Sequence, residues 1–67
     1  MITVSINGEA RQLPTNVTVA ALIENMGLTG KRIALERNGE IVPRSTFATQ
    51  QVSAGDKLEI VVAVGGG

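Results

Sequence analysis

The stretch Thr18-Val19-Ala20-Ala21-Leu22-Ile23-Glu24-Asn25-Met26-Gly27 decides how this chain folds. Val19, Leu22, Ile23 and Met26 recur at i, i+3, i+4 and i+7, which places them on one face of a helix. Ala20, Ala21, Glu24 and Asn25 fall on the other face. Thr18 suits the N-cap, because its hydroxyl can accept from a free N–H of the first turn. Gly27 supplies the left-handed residue that ends the helix. No other stretch carries this period, so the fold is expected to rest on one helix and the strands around it.

Moving outward toward the N-terminus, Ile2, Val4 and Ile6 alternate with Thr3 and Ser5, the pattern of a half-buried strand. Asn7-Gly8 is a two-residue hairpin turn, since both of its positions need positive φ. The return strand is Glu9 to Leu13, with Leu13 facing inward, and Pro14 stops it because proline cannot donate to a ladder.

Moving the other way, Ile33 to Arg37 is a third strand and Asn38-Gly39 a second hairpin turn. Glu40-Ile41-Val42 returns briefly and is cut by Pro43, as suits a sheet edge. Ser45 to Ala48 is expected to make a single turn with Phe47 plugged into the core. Gln50 to Val52 is irregular or briefly extended, and Ser53-Ala54-Gly55-Asp56 is a turn by composition. Lys57 to Val62 is the last strand, with Leu58, Ile60 and Val62 on one face and Val61 and Ala63 pointing the other way. Two hairpins and one crossover helix give an α+β chain with a mixed sheet of four to five strands, packed on the helix on one face and open on the other. That is the pattern of a small β-grasp domain, expected over residues 1–64, with a flexible glycine tail at 65–67.

Composition narrows the function. The chain has 67 residues, no cysteine and no histidine. That leaves no disulfide framework, no thiolate or imidazole metal ligand and no imidazole acid–base catalyst. A core of this size yields only ~3–5 kcal/mol, so packing must be efficient. Six basic and six acidic residues cancel, where phosphate-driven nucleic-acid binding calls for a positive excess. Phe47 is the single aromatic, too few for a base-stacking platform. No apolar run approaches the ~20 residues of a membrane span, and no signal peptide is evident, so the cytoplasm is the default location.

The acidic residues Glu9, Glu24, Glu36, Glu40, Asp56 and Glu59 fall on turns or solvent faces in this reading and form no acid–base pair. Lys31, Arg32, Arg37 and Arg44 form a loose basic group, read as a solvated face. Gly8, Gly27, Gly39 and Gly55 serve turns or the helix stop, and Gly30 a loop. Gly65-Gly66-Gly67 connects to nothing that follows in the sequence. On the residues alone it is a leftover of expression, a frayed end, a truncated linker, or a carboxyl terminus for another enzyme to activate. Side chains there would obstruct entry to a narrow active site.

With these elements in place, the chain resembles the ubiquitin-like sulfur carriers, and most closely the ThiS family of thiamine biosynthesis. The resemblance rests on the Ile2–Ile6 strand and the Val19–Met26 helix. It continues through Asn38-Gly39-Glu40-Ile41-Val42-Pro43-Arg44 and the end from Gly55-Asp56 to Val64-Gly65-Gly66-Gly67. The resemblance implies a carrier that is not itself an enzyme and binds no cofactor. A partner adenylating enzyme would use ATP to activate the Gly67 carboxylate. A sulfur donor fed by a cysteine desulfurase would replace the AMP, leaving a thiocarboxylate. Thiazole synthase would then take the sulfur. Gly65 and Gly66 would give the tail reach and access.

A carrier needs a recognition surface, and Val61, with Ala63 and Val64, is the candidate docking patch on the open sheet face. No nucleic-acid or membrane partner is expected. Alternative readings are the small subunit of molybdopterin synthase, which has the same kind of terminus, a protein-conjugating modifier, or a non-catalytic β-grasp binding module.

Overall fold

The structure, a computed structural model, describes residues 1–63. Its elements are β1 (Ile2–Ile6), β2 (Glu9–Leu13), α1 (Val19–Asn25), β3 (Ile33–Arg37), β4 (Glu40–Ile41), a 3-10 turn (Arg44–Thr46) and β5 (Lys57–Val62). Five strands form one mixed sheet in the order β2-β1-β5-β3-β4. The last strand in sequence is therefore the central one. It runs parallel to β1, with Ser5 beside Lys57 and Ile6 beside Leu58, and antiparallel to β3.

Both hairpins have the turn geometry their sequences demand. Asn7 and Gly8 have φ of 51° and 85°, and Asn38 and Gly39 have 53° and 86°. Positive φ at both positions matches the right-handed twist of the flanking strands. The helix is short, so its ends must be secured by partners rather than by length. The Thr18 hydroxyl accepts from Ala21 N–H at 3.1 Å. The Val19 and Ala20 N–H groups donate to the Gln50 and Phe47 carbonyls, both at 2.9 Å. All three N–H groups ahead of the first intrahelical bond are thus satisfied. At the other end Gly27 has φ 72°, and Gly27 and Leu28 donate back to Glu24 and Ile23 at 3.0 Å. This is a Schellman closure.

The core lies between α1 and one face of the sheet. Val4, Ile6, Leu13, Leu35, Leu58 and Ile60 come from the strands, and Val19, Leu22 and Ile23 from the helix. Val17, Val42 and Val52 close its edges. The 50–52 segment clamps the helix entry: Gln51 bridges Thr18, and Val52 N–H donates to Val17 C=O at 3.0 Å.

Four expectations need correction. The regular part of the fourth strand ends at Ile41. Val42 adds one bond to Leu35 at 2.9 Å and then turns into the core. Phe47 is half-buried at the edge of the core, because the turn it follows lies outside the sheet–helix sandwich. Val62 keeps the parity of Leu58 and Ile60 but is 37% exposed, since it sits past the last buried pair, Leu35 with Ile60. Asp56 is buried, for a reason given below. The expected domain boundary at 64/65 lies outside the described residues.

Candidate functional site

The described chain ends on the central strand of the sheet. Val62 pairs with Ile33, and the next residue, Ala63, donates its N–H to the Arg32 carbonyl at 2.9 Å. This bond is the root of the C-terminal segment. The remaining sequence candidates, Val64, Gly65, Gly66 and Gly67, lie outside the described residues.

Of the docking candidates, Val61 is 63% exposed and Ala63 is exposed. Val61 sits opposite Ala34, on the face away from the helix, because inward Ile60 pairs with inward Leu35. The same face carries Ile41, 70% exposed, which the sequence reading treated only as part of an edge strand. The signal for it was available. A two-residue turn at Asn38-Gly39 forces Arg37 opposite Glu40 and Glu36 opposite Ile41, and Glu36 is one step out of phase with Leu35. Between the two apolar residues, Glu36 lies directly opposite Glu59. Like charges in that position repel. The open face is therefore apolar at Val61, Ala34 and Ile41 and acidic between them.

The opposite end of the central strand is held by polar groups that the sequence reading missed. Asp56 accepts from Arg37 Nε at 2.7 Å, from Ser53 N–H at 2.7 Å and from Asn38 Nδ2 at 3.1 Å. Burial alone would raise its pKa. The bonds from Arg37, Ser53 and Asn38 and the Arg37 charge outweigh that and hold it below its ordinary 3.8. Asn38 also accepts from Lys57 N–H at 2.9 Å. The other turn asparagine works the same way: Asn7 accepts from Ile60 N–H at 2.8 Å and donates to Ile60 C=O at 3.1 Å. Each hairpin turn thus reaches across to lock β5 in register.

Among the described residues no three acidic side chains converge to hold a metal ion. No helix there is long and apolar enough to cross a membrane. What the described structure offers is a central strand paired on both sides and held by both hairpin turns, with an exposed apolar patch on its open face.

The model of the ThiS family matches residues 4–67. This chain belongs to the ThiS family. A crystal structure of a thiamine biosynthesis protein (ThiS) from Geobacter metallireducens superposes with a TM-score of 0.82 at 25% identity. It covers 98% of this ThiS-family chain and all of that one. A thiazole synthase of Paramagnetospirillum magneticum is 50% identical over 62 residues, which is 92% of this chain. The chain spans only 19% of that relative's length. An uncharacterized protein, ycf40, of Porphyra purpurea is 32% identical over 66 residues and is matched over 93% of its length. The mixed five-stranded sheet on one helix is the β-grasp arrangement expected from the sequence.

Proposed function

We propose that this ThiS-family chain is the sulfur carrier for thiazole formation in thiamine biosynthesis, with the Gly67 carboxylate as the group that is activated. The observation that carries the reading is the family match, which runs through residue 67 and so includes the glycine end. A free carboxylate is a poor electrophile. A partner adenylating enzyme would couple the Gly67 carboxylate to ATP, release pyrophosphate and leave an acyl-adenylate. The outer sulfur of a persulfide, on a donor charged by a cysteine desulfurase, would attack the acyl carbon. AMP departs with the C–O electron pair and leaves an acyl disulfide; a second thiol then attacks the donor's sulfur, so that the thiocarboxylate leaves with the S–S electron pair and a disulfide remains on the donor side.

Thiazole synthase would take the sulfur from that group, and the identity with a thiazole synthase over 62 residues supports this partner. The chain acts as co-substrate, and the ATP belongs to the enzyme that activates it. Gly65 and Gly66 leave the acyl carbon unobstructed. Val61 and Ala63, with Ile41 and Ala34 on the same side, form the surface that presents the tail. Exposed apolar side chains grouped on one face suit such a role.

The test is pyrophosphate exchange with the adenylating enzyme of the same source. The full chain should support ATP-dependent exchange, and a chain lacking Gly67 should not. Exchange of equal rate with the shortened chain would overturn a terminal-carboxylate mechanism.

A further inference from the structure

Two of the four asparagines in this chain, Asn7 and Asn38, stand immediately before glycine. That pairing carries a chemistry of its own. With no side chain on the following residue, the glycine nitrogen has open access to the carbonyl carbon of the asparagine side chain. The other two asparagines, Asn16 and Asn25, precede Val17 and Met26, whose side chains obstruct the same approach.

The fold restrains both sites. Asn7 Oδ1 accepts from Ile60 N–H at 2.8 Å, and its Nδ2 donates to Ile60 C=O at 3.1 Å. Asn38 Oδ1 accepts from Lys57 N–H at 2.9 Å, and its Nδ2 donates to Asp56 Oδ1 at 3.1 Å. Both ends of each amide are thus held by β5 or by the residue just ahead of it. Attack by the glycine nitrogen requires the amide to leave these partners and fold back over its own peptide bond. The backbone opposes it as well. Asn7 and Asn38 have φ of 51° and 53°, in turns that need left-handed residues at both positions. A five-membered ring through the side chain and the next nitrogen closes only when these lie nearly in one plane, which that turn conformation does not allow.

We infer that Asn7-Gly8 and Asn38-Gly39 are deamidation sites that β5 keeps closed and that open when β5 leaves the sheet. In the open chain the glycine nitrogen bonds to the asparagine Cγ. The proton of that N–H passes through solvent to the side-chain nitrogen, and ammonia departs with the C–N electron pair. Water then adds to one of the two carbonyls of the cyclic imide and opens it to aspartate or isoaspartate. The sum consumes one water and releases one ammonia, with no oxidant, reductant or enzyme.

The products do not fit the fold. At position 38 a carboxylate oxygen takes the place of Nδ2, 3.1 Å from Asp56 Oδ1, where the Asp56 side chain is only 7% exposed. Like charges so placed disfavour ionisation of both. At position 7 an acceptor replaces the donor that faces Ile60 C=O. Isoaspartate also routes the main chain through the side-chain carbons. It lengthens turns that pair Ile6 with Glu9 and Arg37 with Glu40 across two residues. A molecule that converts while open therefore returns to the fold weakened and opens more often. This is a property of the scaffold and stands apart from the sulfur-carrier reading.

The test incubates the purified, unaltered chain in mildly alkaline buffer, folded and in guanidinium chloride above its unfolding midpoint. Intact mass follows the gain of one mass unit per event. Peptide fragmentation assigns each event to a residue and separates aspartate from isoaspartate. In the unfolded chain Asn7 and Asn38 should convert well ahead of Asn16 and Asn25. In the folded chain both should convert at least tenfold more slowly. The made variant Asn38→Asp should unfold at a lower urea midpoint than the unaltered chain at neutral pH. Conversion of the folded and unfolded chains within twofold of each other would overturn the closure by β5. An unfolded chain whose asparagines all convert alike would overturn the two sites themselves, and an unchanged midpoint for Asn38→Asp would overturn the cost of conversion.

Discussion

Replacing Asp56 tests whether a buried carboxylate in a surface turn holds this small domain together. The side chain is 7% exposed and accepts three hydrogen bonds, two of them at 2.7 Å. Hydrogen bonds to a charged group contribute about 1.5–3 kcal/mol each, but such values do not add within one network. Ser53 is exposed and Arg37 is 29% exposed, so water can take over their donors in the variant. Asp56→Ala should therefore cost about 2–3 kcal/mol, a large share of the ~3–5 kcal/mol available to a core of this size. With a urea slope of about 1 kcal/mol/M for so small a chain, the midpoint should fall by ~2–3 M.

Asp56→Asn keeps the volume and removes the charge, and separates packing from ionisation. The folded pKa of Asp56 is lowered. Its contribution is therefore complete well above 3.8 and is lost as pH falls through the lowered folded value. Urea midpoints for the unaltered chain and Asp56→Asn should differ clearly at pH 7 and converge on acidification. Equal midpoints at pH 7, or a gap that stays constant down to the lowest pH, would refute the reasoning.

Three further substitutions probe other parts of the account. Asn7→Ala removes both bonds to Ile60 and should lower stability by about 1–2 kcal/mol in urea unfolding, where a turn residue of no further use would cost far less. Leu58 is fully buried in the central strand, so Leu58→Ala should cost about 2–5 kcal/mol and leave a chain largely unfolded by circular dichroism at 25 °C. Val61→Asp places a charge on an exposed face and should leave the unfolding midpoint nearly unchanged while weakening adenylation. Unaltered adenylation kinetics would remove Val61 from the docking surface.

The elements were legible because each is written locally. The helix shows in the period of Val19, Leu22, Ile23 and Met26, and the hairpins show in Asn7-Gly8 and Asn38-Gly39, whose dihedrals few other pairs tolerate. What the sequence did not disclose depends on partners far along the chain. Asp56 is 19 residues from Arg37 and 18 from Asn38, and nothing within its own turn distinguishes it from a solvated aspartate. The turn asparagines carried a strong local reading that concealed their second task of holding β5. The four basic residues look alike in the sequence, and only the fold sends Arg37 to Asp56. Of the candidate site, Val61 and Ala63 were placed correctly on the exposed surface by strand parity, and Ile41 was within reach of the same argument applied to the second hairpin.

The central claim is that the end of this chain carries sulfur. Its most direct test is the intact mass of the protein after incubation with its adenylating enzyme, ATP, a cysteine desulfurase and cysteine. The account predicts a transient species heavier by one AMP, then a product in which a single oxygen at Gly67 has been exchanged for sulfur, located there by fragmentation. An unchanged mass, or sulfur found anywhere other than the terminal glycine, would contradict it.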